Sequence, residues 1–134
     1  MPGAGWYQAE LGLHDQALAS CTEALELIRA IGQRPGEAHT LDSLANIYVK
    51  VGDYAAAISH YDQALTIHRE LGNRPFCATV LASLGDVHHA AGDSERARAS
   101  WAEALAIFDD LGHPRAGELR ARIRDLAATP APAR

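Results

Sequence analysis

An all-α chain of stacked helix pairs is the fold class this sequence predicts, on three observations. Glycines recur at Gly12, Gly52 and Gly92, each 40 residues after the last, and Gly32, Gly72 and Gly112 keep the same step. So do Ala17/Ala57/Ala97, Ala24/Ala64/Ala104 and Leu25/Leu65/Leu105. Between the glycines, apolar residues return at helical spacing in a composition rich in alanine and only 6% aromatic, which favours helix over sheet. A constant period of this size marks an array in which each unit buries its apolar face on the next.

The repeat is clearest from Ala38 to Gly72, two amphipathic helices joined by a Gly-Asp turn. Before it, residues 4–11 read as the tail of a first helix stopped by Gly12, with Leu13 where the later copies carry aspartate. A helix from about 14 to 31 follows, with Ala17, Leu18, Cys21, Leu25 and Ile28 on one stripe. Gly32 ends it, and Pro35 suits the first turn of the next, where no backbone donor is needed. That helix, to Val51, carries Leu41, Leu44, Ala45 and Tyr48 inward. Gly52 closes it, and Asp53 is placed to cap the free amides of a helix bearing Ala57, Ile58, Tyr61, Ala64, Leu65 and Ile67.

The third unit copies this pattern. Pro75 opens, Leu81, Leu84, Gly85 and His88 line the stripe, Gly92-Asp93 turns, and Ala97, Trp101, Ala104, Leu105 and Ile107 face inward. Pro114 opens a seventh, capping helix over about 115–127, with Leu119, Ile123 and Leu126 on one side and arginines on the rest as a solvated face. The expected organisation is one array over 1–127, with repeats at about 4–32, 35–72 and 75–112, the cap, and a disordered tail over 128–134. Small residues are expected to oppose each other (Ala45 or Gly85 against Ala57 or Ala97), so that the helix axes approach closely. Tyr48 and Tyr61, or His88 and Trp101, then fill the wider gaps.

Length and charge narrow the function. A chain of 134 residues is one domain's worth. Its formal net charge of −5 argues against a nucleic-acid face. No apolar run reaches the roughly 20 residues that span a bilayer, and the start lacks a signal-peptide pattern, so a cytoplasmic location without membrane contact is expected. Cys21 and Cys77 fall in different repeats and read as free thiols, Cys21 in the core. No histidine pair has the i, i+4 spacing of a helical metal site; no metal, cofactor or catalytic residue is expected, and no enzyme.

The run Leu41, Leu44, Ala45, Tyr48, Gly52, Asp53, Tyr54, Ala57, Ile58, Tyr61, Ala64, Leu65 resembles the tetratricopeptide repeat. The third unit matches at Leu81, Leu84, Gly85, Gly92, Asp93, Ala97, Ala104 and Leu105, with Trp101 in an aromatic slot. The usual repeat has about 34 residues, so this is a long form. With Arg69, Leu71, Gly72, Asn73, Arg74 and Pro75, it resembles the repeats of actinobacterial regulators of the antibiotic-regulatory-protein and nucleotide-switch types. The resemblance implies a right-handed superhelical α-solenoid of about three helix-turn-helix units plus the capping helix. The first helix of each pair would line a concave groove.

On that reading the groove residues are His39, Asp42, Ser43, Asn46 and Lys50 from repeat two, Ser83, Asp86 and His89 from repeat three, and Glu10 from the first. Asn46 stands where the family uses an asparagine to hold an extended peptide by its backbone, since a carboxamide both donates and accepts. The carboxylate-clamp pattern is absent, its places being held by Trp6, Ser43, Thr79 and Ser83. The implied function is a protein–protein interaction module that binds a peptide or protein segment, within a larger bacterial regulator. One alternative is a self-association unit forming homo-oligomers through exposed ends (Trp6, Tyr7, and Leu119/Ile123/Leu126). The other is a sensor of a peptide or small ligand.

Overall fold

The computed structural model describes residues 4–128, with side chains from Gly12 onward. Among them are six α-helices and no strand: α1 (Ala4–Ile31), α2 (Arg34–Val51), α3 (Tyr54–Glu70), α4 (Arg74–Ala90), α5 (Ser94–Asp110) and α6 (Arg115–Ala128). Two compact units divide the chain, Met1–Ile67 and His68–Arg134. The expected 40-residue step is kept by the turns: Gly52 and Gly92 both adopt positive φ, at 84° and 87°.

Each of those turns works by the same pair of devices. Glycine enters the left-handed region that residues with a Cβ avoid, ending one helix. The following aspartate then caps the next. Asp53 Oδ1 accepts from the backbone N–H of Ala56, and Asp93 Oδ1 from that of Arg96, each at 3.1 Å.

The expected stop at Gly12 does not occur. α1 runs unbroken for 28 residues, and Gly12 is not among the positive-φ glycines. Leu13 is the local difference from the two later Gly-Asp turns. Leucine is a strong helix former with no oxygen to cap a new first turn, so continuing the helix is favoured over stopping and restarting it. The described helices therefore number six where seven were expected.

In the first unit Leu25, Ala38, Leu41, Leu44, Ala64 and Ile67 form one buried cluster, with Leu18 and Cys21 packed against it. Glu37, in the first turn of α2, accepts from Arg29 Nε and from Arg34, both at 3.0 Å. The Arg29 hydrogen bond, with Arg34 beside it, holds the Glu37 carboxyl below its ordinary range against the opposing effect of burial.

In the second unit the core is Cys77, Ala78, Leu81, Leu84, Val87, Ala97, Trp101, Ala104, Phe108, Ala116 and Leu119. Cys77 is a free thiol, and burial pushes its pKa up. α6 closes this core through Ala116 and Leu119, as a cap should. Two of its arginines do more than face solvent: Arg120 donates to both oxygens of Asp109 at 2.7 Å, and Arg122 donates to Asp86 at 2.6 Å. Residues 129–134, where the disordered tail was expected, lie outside the described residues.

Candidate interaction surface

The side chains expected to meet a ligand come from the first helix of each pair. On α2, His39, Ser43, Asn46 and Lys50 recur at steps of four and three, with Asp42 beside Ser43, and so share one face of the helix. His39, Ser43, Asn46 and Lys50 are exposed, and Asp42 is half-buried. The Ser43 hydroxyl bonds back to the His39 carbonyl at 3.1 Å, which uses its donor within the helix. Among the described residues, no partner holds the side chain of Asn46 or Lys50. The opposite face of α2 is anchored by Ala38, Leu41, Leu44 and Ala45, all buried, so the polar row rides on a fixed support.

On α4 the arrangement differs. Asp86 is committed: its Oδ1 accepts from the Trp101 indole N–H at 3.1 Å and from Arg122 at 2.6 Å. Arg122 also reaches Glu118 at 2.8 Å. His89 leans on the Trp101 ring, with centroids 5.6 Å apart. Ser83 is half-buried. Asp86 and His89 are thus engaged with Trp101 rather than standing in an open polar row. The side chain of Glu10 lies outside those described.

Trp101 is the residue whose part in this surface the sequence understated. It is 4% exposed, yet its one polar atom reaches the surface carboxylate of Asp86. The signal was present in the pairing of residues 85 and 101, where glycine and tryptophan replace the alanine and tyrosine of the preceding repeat at 45 and 61.

Among the described residues, this face of α2 presents the Asn46 carboxamide and the Lys50 ammonium to solvent. No helix among the described residues is long and apolar enough to cross a membrane.

Comparison with known proteins bears on the family and the fold. The family model described as Tetratricopeptide repeat matches residues 4–70 and 40–110. No curated protein matches the sequence. Among solved structures, the chain is similar to the crystal structure of BtubC (BKLC) from P. vanneervenii, at a TM-score of 0.66 and 20% identity. The likeness covers 92% of this chain and 62% of that one, so this chain spans less than two thirds of its neighbour's length. At that identity the likeness shows the fold alone, an all-α helical-repeat fold. With both the repeat match and the helix pairs in place, the chain belongs to the tetratricopeptide repeat family.

Proposed function

We propose that this chain is an interaction module that takes a peptide or protein segment along the exposed polar face of α2, as part of a larger regulator. Tetratricopeptide repeats are non-catalytic scaffolds that mediate protein–protein interaction. The observation that carries the finer reading is the row His39, Ser43, Asn46, Lys50, exposed on a helix whose other side is locked into the core. Asn46 can pair with both the N–H and the C=O of an extended backbone. Lys50 adds a cation at the end of the row. Asp86 is occupied by Arg122, so the second unit contributes less free negative charge than its sequence implies.

The test is selection of peptides from a displayed random library on the 134-residue chain, followed by calorimetric titration of the best binder. Asn46→Ala and Lys50→Ala should each weaken it by about 1–2 kcal/mol. Binding untouched by both changes, but abolished by changes on the opposite side of the hairpin, would show that α2 is not the docking face.

A further inference from the structure

One seam of α1 lies more open than its two later copies in the chain, although Ile107 is half-buried and Leu71 and Leu111, which match Ile31, are 45% and 42% exposed. Ala57 and Ala64 of α3 and Ala97 and Ala104 of α5 are 0% exposed, and Ile67 is 4% exposed. At the matching positions of α1, Ala17 and Ala24 are only half-buried. Leu27, which matches Ile67, is 65% exposed. The cause is the missing turn at Gly12. In the later repeats the chain folds back at Gly-Asp, and the preceding helix packs with this seam. α1 continues through Gly12 without a turn, so its own N-terminal half does not fold back over the seam.

The seam has the spacing of a two-helix contact. Leu13, Ala17, Ser20, Ala24, Leu27 and Ile31 are separated alternately by four and three residues, the apolar period of a coiled coil. It lies roughly a quarter-turn around α1 from Leu18, Cys21, Leu25 and Ile28, the side turned to the core. A second helix can therefore dock on it without disturbing that core. Leu13 and Ile31 at the two ends are 64% and 75% exposed.

We infer that the occupant is α1 of a second copy of this chain, packed antiparallel across a twofold axis. The order along the seam is large, small, small, small, large, large, which reads nearly the same in either direction. Antiparallel pairing sets Ser20 against Ala24 of the other copy, Ala17 against Leu27, and Leu13 against Ile31. The small residues fall at the crossing point, where the axes approach most closely, and the large ones where the helices diverge. A surface complementary to itself is what a twofold interface requires. The alanines at the centre of this seam in α3 and α5 are buried within helix pairs, so close helix approach there is a geometry the fold already uses. The site is distinct from the α2 face, and dimerisation stands or falls independently of peptide binding.

Light scattering on the full 134-residue chain over a range of concentrations should show a dimer. Leu27→Glu should raise its dissociation constant by roughly a hundredfold or more, with helical circular dichroism unchanged. A second measurement does not depend on that variant folding. In a Cys21→Ser, Cys77→Ala background, Ser20→Cys should be linked between chains by a short bis-maleimide, whereas Glu26→Cys on the far side of α1 should not. A wild-type chain that stays monomeric at its highest soluble concentration overturns the inference. So does a dimer indifferent to Leu27→Glu, or equal cross-linking at residues 20 and 26.

Discussion

The five-membered ring of Trp101 lies directly over Gly85, so closely that a Cβ at residue 85 would overlap Cδ1, Nε1 and Cγ of the indole. Residue 85 is glycine because residue 101 is the larger aromatic; where tyrosine stands at 61, residue 45 keeps its methyl group. Gly85→Ala should therefore destabilise the chain by about 1–3 kcal/mol through overpacking, more than the helix-propensity gain of up to about 1 kcal/mol from removing glycine. Combined with Trp101→Tyr, the same change should be close to neutral. Urea unfolding of the four chains of the cycle gives the coupling, expected to exceed roughly 0.5 kcal/mol. Simple additivity would disprove the steric account.

Asp86 serves two donors, and they can be separated. Asp86→Ala leaves the buried indole N–H without its acceptor, at a cost of about 1–3 kcal/mol. Asp86→Asn keeps a carbonyl for the indole and should cost well under half of that. Arg122→Ala removes two solvent-screened ion pairs, to Asp86 and to Glu118, and should fall within about 1 kcal/mol. Denaturation midpoints rank the three; an Asn variant as weak as the Ala variant would mean that charge, not the hydrogen bond, is what counts.

Stability should depend on acid through Glu37. Its folded-state pKa is depressed below the ordinary value of 4.5, chiefly by the hydrogen bond from Arg29. The stabilisation is accordingly complete above about pH 4.5 and lost as pH falls through the lower folded-state value. Glu37→Gln should flatten this acid limb while leaving the neutral-pH helix content intact. Thermal melts of both chains between neutral pH and pH 3 compare the slopes, and superimposable acid limbs would remove Glu37 as the cause.

Leu13→Asp should rebuild the turn that α1 lacks, by supplying the oxygen that Asp53 and Asp93 use as caps. Backbone chemical shifts at residues 12–14 should leave the helical range, and the first unit should then resemble the later two. Shifts that remain helical would mean that the missing cap is not what keeps α1 straight.

The periodic glycines, the aspartate caps and the apolar stripes were legible in the sequence because each is a local rule repeated along the chain. Gly12 shows the limit of reading by analogy. The glycine was in step, but Leu13 stands where the two later Gly-Asp turns carry their capping aspartate, and the helix runs on through it. Asp86 shows another limit. Its place on α4 reads as ligand-facing, yet Arg122, 36 residues later, reaches it from α6. No local spacing announces such a contact. The face of α2 was legible because Asn46 and Lys50 depend only on their own helix for their exposure.

Arg29 donates to Gln63, and Arg69 donates to Glu103; both pairs are 34 residues apart and differ from each other by one repeat. The link from α1 to α3 and from α3 to α5 is thus written once per block, with only the acceptor's charge altered. An in-frame duplication of one 40-residue block would carry its own donor and acceptor with it. Unequal crossing-over between such genes can lengthen or shorten the array without leaving a frayed junction, which gives this architecture a cheap route to new lengths.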